Sequence, residues 1–469
     1  PRICPGLMAA AGLASKSWST MSPSMRVANL VNPTCQVPPS RSRAQKCDGL
    51  KTQSTGKRVA KCERLKSSSF PGSAMEVRRF LKSSLLGKSQ KARKPPAGTY
   101  PARVPMLYFD HNATTPLCSA AREAWLEASE QYVGNPSSPH RLGARADKAL
   151  ADAREQLAGF LSCSPLGIVW TSGATESNNL VLHHYAQALE SDAQVWISAI
   201  EHPCVVESAS RHFGGRTTML PVTSDGVLDL EALREQLARK RPGLIAVMAA
   251  NNETGVLQPW REVLQLCTEH KVPFFCDAAQ WIGKLPAAGL GECDFVSGCA
   301  HKFGGPQGIG FLKCPAKGAV HSQLVGGPQE EGRRAGTENV AGILSMMAAL
   351  TEREAALSRG EEKSKEVFRD QFIGQISGAT ILGEGNPCLW NTVSALLPGD
   401  CRARWVVKLD KAGFAVSTGS ACASGKAAPS HVLKAMGVAD EDADRVVRFS
   451  SGWETTAEDW QNLAKGVAQ

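Results

Sequence analysis

From Met106 onward, short apolar runs ending in Gly, Ser or Asp alternate with amphipathic helical stretches. That alternation confines this part of the chain to an α/β architecture with a mostly parallel sheet. The runs are 167–171, 194–200, 244–250, 272–276 and 295–296, and helical patterns cover 144–160, 230–239 and 262–270 between them. In such sheets functional side chains gather just beyond the carboxyl ends of the strands. A helix-rich stretch from 340 to about 375 reads as a connector to a second α/β portion. The expected division is a large domain over 120–361 and a smaller domain made of 106–119 with 362–469. No internal repeat is visible.

Residues 1–105 differ in texture, being rich in Ser, Pro, Lys and Arg with little apolar periodicity. They hold 20 Lys and Arg against 3 acidic residues, so the net charge of +9 divides into +17 for this leader and −8 for the rest. A segment of that composition cannot bury enough surface to offset its ordering entropy and is expected to be disordered. The first expectation is that it is upstream sequence joined to a gene starting at Met106. The second is an organelle-targeting peptide, which would also be basic, Ser-rich and poor in acids. A nucleic-acid or membrane-surface arm comes third, since the interleaved aromatics that stack on bases are missing.

The longest apolar runs fall well short of the eighteen or so residues that a membrane-spanning helix needs, so no membrane partner is expected. Fifteen cysteines are scattered without a CxxC pair, and Cys293 and Cys299 lack neighbours that would complete a zinc set. Neither a metal site nor a disulfide framework is implied; most of these thiols read as small buried hydrophobes of a cytoplasmic protein.

Three strand ends carry the polar groups. The stretch 170–179, Trp-Thr-Ser-Gly-Ala-Thr-Glu-Ser-Asn-Asn, closes a strand and opens a helix. Its small residues let the backbone approach a phosphate, to which helix amides and the Thr175 hydroxyl can donate; a plain Ser/Thr cap is the competing reading. Asp277, after Phe274-Phe275-Cys276, is an acid at the end of a buried strand and needs a cation such as a protonated pyridine nitrogen. A helix-capping role is its bland alternative. Lys302 follows Asp294-Phe295-Val296-Ser297-Gly298-Cys299-Ala300-His301 and precedes a glycine cluster. A lysine so placed can form a Schiff base with an aldehyde, although most lysines are merely solvated.

Phosphate loop, carboxylate and lysine occur in that order, and with them the chain resembles the cysteine desulfurases of the NifS/IscS type. These belong to the class-V aminotransferase group of fold type I pyridoxal-phosphate enzymes. The openings 108–116, Tyr-Phe-Asp-His-Asn-Ala-Thr-Thr-Pro, and 134–140, Gly-Asn-Pro-Ser-Ser-Pro-His, share the resemblance, which covers 107–469. It implies a large domain with a mostly parallel seven-stranded sheet between helices, a smaller α/β domain, and pyridoxal 5'-phosphate as cofactor. By the same resemblance Lys302 is the Schiff-base lysine, Asp277 pairs with the pyridinium, and Gln280 bonds the ring hydroxyl. His202 stacks on the ring and moves protons, and Asn252 lies near the ring hydroxyl and the substrate carboxylate. Ala174, Thr175, His301 and the residue at 299 hold the phosphate. Thr337 reaches the phosphate of the other subunit, so a homodimer with shared active sites is implied.

The stretch 417–425, Ser-Thr-Gly-Ser-Ala-Cys-Ala-Ser-Gly, selects the reaction. Cys422 has no bulky neighbour and is expected on an accessible, mobile loop of the smaller domain, where a thiolate can attack a substrate sulfur and carry it outward. The resemblance makes Cys422 the acceptor of sulfur from L-cysteine, with L-alanine released and a persulfide passed to an acceptor or scaffold protein. Arg448, in 447–452, matches the arginine that grips the substrate carboxylate through its bidentate fork. Some positions depart from the pattern. Cys299 stands where a phosphate-binding serine is usual and, as a poorer donor, is expected to weaken the cofactor site. Pro328 replaces a Gly, and Glu331 replaces an Arg in a loop expected to face the partner subunit. A selenocysteine lyase and another class-V enzyme are the near alternatives. A basic-armed nucleic-acid-binding protein with an inactive body is the alternative from a different class, and the near-complete motifs argue against it.

Overall fold

The computed structural model describes residues 106–318, 320–419 and 430–468. Cys422 and all of 1–105 therefore lie outside the described residues. Twelve strands are described: β1 (Leu107–Tyr108), β2 (Ile168–Thr171), β3 (Val195–Ser198), β4 (Thr217–Leu220), β5 (Leu244–Ala246), β6 (Phe274–Asp277), β7 (Phe295–Cys299), β8 (Gly310–Lys313), β9 (Thr380–Ile381), β10 (Thr392–Leu396), β11 (Phe414–Ala415) and β12 (Val446–Ser450). Seven form one sheet in the order β2-β8-β7-β6-β5-β3-β4. Only β8 runs against its neighbours, and the remaining pairs are parallel.

The sheet is buried on both faces, which is why its strands read as unbroken apolar runs. Successive side chains point to opposite sides. Trp170, Trp196, Phe274 and Cys276 enter a core with helices Arg141–Leu161, Trp260–His270 and Val340–Ser358. Val169, Ile197 and Phe275 enter the opposite core with helices Ala174–Ala188 and Pro203–Phe213. Strand β8 and the edge strand β4 have no counterpart among the runs read from the sequence. The first opens on Gly310 and ends on Lys313, which leaves only two apolar residues between, and β4 is only half-buried.

A three-stranded antiparallel sheet, β12-β10-β9, builds a further core with helices Glu361–Gln375, Arg402–Lys411 and Ala457–Val467. Phe109 joins that core, and β1 pairs with β11, so the first described residues are stitched to the last ones. The helix-rich connector is two helices: Gly360 sits at φ +72 between Ser358 and Glu361, a left-handed conformation that ends the first helix. No described helix is long and apolar enough to cross a membrane.

Candidate active site

The carboxyl ends of β2, β3, β5, β6 and β7 open onto one cavity of about 520 Å³, inside the range usual for small-molecule sites. Ala174, Thr175, His202, Asn252, Asp277, Gln280, Cys299, His301, Lys302 and Arg448 all line it. Ten residues chosen from sequence thus meet at one place. Thr337 does not line it; its side chain is exposed in the loop before helix Val340–Ser358.

Each strand end delivers its group for a local reason. Gly173, at φ +151, turns the chain from β2 into helix Ala174–Ala188, whose first amides face the cavity. Asp277 is the last residue of β6 and is buried, with Oδ2 accepting from Asn178 Nδ2 at 2.7 Å and Oδ1 from the Ala279 amide at 2.9 Å. Both donors are neutral, and among the described residues no ion pair includes Asp277. Strand β7 ends at Cys299 and runs into a 3-10 turn carrying His301 and Lys302. Lys302 Nζ donates to the backbone oxygens of Asn112 and Ala113. Burial, with Arg448 nearby, holds the Lys302 amine below the usual lysine range, although Cys299 opposes the shift.

The histidines are held neutral. His202 caps helix Pro203–Phe213, its Nδ1 accepting from the Cys204 amide at 3.2 Å, so the neutral ring carries its proton on Nε2. Burial lowers its pKa against the pull of Asp277. His301 Nδ1 lies 3.2 Å from Thr114 Oγ1, and burial with the neighbouring Lys302 brings its pKa to about 4. The Cys299 thiol is pushed the other way, to about 11, by burial.

Arg448, on β12, is 1% exposed, and its Nη2 lies 2.6 Å from Asp110 Oδ1. Its Nη1 donates to the Asn252 and Gly419 backbone oxygens at 2.9 and 2.6 Å, and its buried Nε has no partner among the described residues. Glu253, beside Asn252, accepts from Ser430 Oγ at 2.6 Å. Gly419 and Ser430 are the residues that flank 420–429, so both described ends of the stretch with Cys422 are bonded to residues of the cavity wall.

The class-V aminotransferase profile matches residues 107–463, which hold every described residue of this site. The chain belongs to that family. Among curated relatives of this family, the cysteine desulfurase IscS of Dictyoglomus turgidum is 38% identical over 367 residues, covering 75% of this chain and 91% of the relative. A NifS-like protein from Rickettsia africae superposes with a TM-score of 0.69 at 29% identity, over 77% of this chain and 98% of that one. The structure of SspA in complex with cysteine superposes at 0.65 and 29% identity, over 75% and 100% of the two chains. The fold expected from sequence, a fold type I transferase with a mostly parallel sheet of seven strands, is the one observed.

The sequence reading missed several residues. Asn178, one helical turn after Ala174, orients the Asp277 carboxylate. Asn112 is a hub: its carbonyl accepts from Lys302 and Gln280, while its Nδ2 donates to Asn252 O and Thr392 Oγ1. Asp110 and Glu253 anchor Arg448 and Ser430. Lys284 had no signal at all. The quoted motifs contained Asp110, Asn112 and Asn178, and Glu253 adjoins Asn252, but their partners lie far along the chain, and only the fold pairs them. Glu331, the reversed charge, has a local partner in Arg333 at 3.1 Å and stands at φ +57.

Proposed function

We propose that this protein is a pyridoxal-phosphate-dependent cysteine desulfurase that converts L-cysteine to L-alanine and retains the sulfur as a persulfide on Cys422. The observation that carries the reading is a buried carboxylate, Asp277, that no cation among the described residues pairs with, sharing one cavity with a buried lysine of lowered basicity, Lys302.

The residues fit the cofactor. Among the described residues Asp277 accepts only from neutral donors, and a protonated pyridine nitrogen would supply the missing cation. The amides of Ala174 and Thr175 at a helix N-terminus suit a phosphate, with His301 and Cys299 beside them. When bound, the cofactor supplies an electron sink for the electrons of a Cα–H bond. Lys302 Nζ would hold the aldehyde carbon and, once free, move the proton at substrate Cα. His202, neutral with a proton on Nε2, would stack on the ring and donate or recover a proton. Gln280 and Asn252 would donate at the ring oxygen. Arg448 would take the substrate carboxylate, its Nε being without a partner among the described residues.

Sulfur transfer is a nucleophilic displacement at sulfur. The Cys422 thiolate attacks the substrate sulfur, an S–S bond forms, the substrate Cβ–S bond breaks with its electron pair left on the carbon skeleton, and protonation of that skeleton gives alanine. Chain connectivity keeps the Cα of Cys422 within roughly 11 Å of Gly419, which Arg448 holds at the cavity wall. The expected homodimer, in which Thr337 would reach the partner's phosphate site, is consistent with its exposed position. We extend the reading to an acceptor or scaffold protein for the persulfide, and to two domains, 120–361 and 106–119 with 362–469. The direct test is alanine and sulfide release from L-cysteine by holoenzyme. Equal turnover of selenocysteine by Cys422→Ala would favour a lyase instead.

A further inference from the structure

Lys284 lies at the back of the site, 2% exposed, and no described carboxylate pairs with it. Its Nζ donates to Gln280 Oε1 at 2.5 Å and to Asn112 Oδ1 at 2.7 Å. These two amide oxygens match the two N–H groups of an uncharged amine, and burial, with Lys302 and Arg448 nearby, moves the Lys284 pKa well below the usual lysine value. An unpaired buried lysine is costly, so its retention next to a ligand cavity calls for a role.

The contact has a geometric consequence. A primary amide has one donor end and one acceptor end of nearly equal shape. Lys284 occupies the acceptor end of Gln280, and the Asn112 carbonyl takes one Nε2–H at 3.0 Å, so the remaining Nε2–H is the one left for the cavity that Gln280 lines. We propose that Lys284 is a positioning residue that locks Gln280 with its donor end toward the ligand, so that an anionic ring oxygen meets an N–H instead of a carbonyl. This rests on the pyridoxal-phosphate reading above. Without Lys284 the amide is free to turn over and present Oε1 to that oxygen.

The test uses full-length protein in four forms: wild type, Lys284→Met, Gln280→Ala and the double variant. Wild-type binding of pyridoxal phosphate checks the underlying reading by itself; no binding there overturns that reading, while binding leaves the variants to judge Lys284. Cofactor affinity is read by fluorescence titration of the apo protein, and the pH midpoint of the lysine-bound chromophore by absorbance. Lys284→Met is expected to weaken cofactor binding about tenfold, the upper end for one lost hydrogen bond, and to raise the midpoint because the ring oxygen loses its donor. In the Gln280→Ala background the same change should alter neither quantity. Unchanged affinity and midpoint in Lys284→Met, or an equal loss in the Gln280→Ala background, overturns the proposal. Lys284→Gln, which keeps an N–H donor, should lose less and serves in the same comparison if Lys284→Met does not fold.

Discussion

Lys302 and Asp277 ask for opposite partners, and the cavity places both where one ring could satisfy them. Lys302→Ala is expected to abolish turnover and the lysine-bound chromophore together, read by absorbance and alanine release. Asp277→Asn keeps an acceptor for one of the two donors, Asn178 Nδ2 or the Ala279 amide, and removes the charge; a cofactor affinity lower by tenfold or more, measured by apo-protein titration, is the expected outcome. At the phosphate end, Cys299→Ser replaces a thiol by a better donor of similar size. Cofactor binding should tighten severalfold in that variant, and an unchanged dissociation constant would remove residue 299 from the phosphate site.

At the scale of elements, the legible parts were those whose signal is local. Strand β6 was visible as Phe274-Phe275-Cys276 before an acid, because a strand buried on both faces leaves a continuous apolar run. The Gly173 turn was visible because small residues in series after an apolar run mark a strand-to-helix turn. Strand β8 and the Lys284–Gln280–Asn112 link were not, since the first has only Phe311 and Leu312 between a glycine and a lysine and the second joins residues up to 172 positions apart. The same holds for the bond between Glu253 and Ser430. Ser430 also caps helix His431–Ala435 through the Val432 and Leu433 amides. Ser430→Ala should cost about 1 kcal/mol of stability from the cap, seen as a lowered Tm. It should also slow sulfide release while leaving the chromophore intact, because the anchor lies beside the Cys422 stretch and not at the ring.

For the whole molecule, Glu201 ties stability to pH. It is fully buried, with Oε1 accepting from Ser198 Oγ and the Met248 amide while Oε2 has no partner. Burial, reinforced by Asp277, raises its pKa to about 8. The folded state therefore binds a proton that the unfolded chain releases near pH 4.5, so the contribution of this residue to stability falls as pH rises from about 4.5 to about 8. Glu201→Gln should remove that slope, and denaturant unfolding at pH 5 and pH 8 should show a larger gain for the variant at the higher pH. The proposed reaction spans the molecule, because on that proposal a thiol at 422 must meet a substrate held over Lys302. The most direct measurement is peptide mass spectrometry of holoenzyme after one round with L-cysteine, with alanine counted alongside. The account predicts one added sulfur atom on the Cys422 peptide per alanine formed, and none in Lys302→Ala; alanine formed at the full rate with no sulfur added at Cys422 would contradict it.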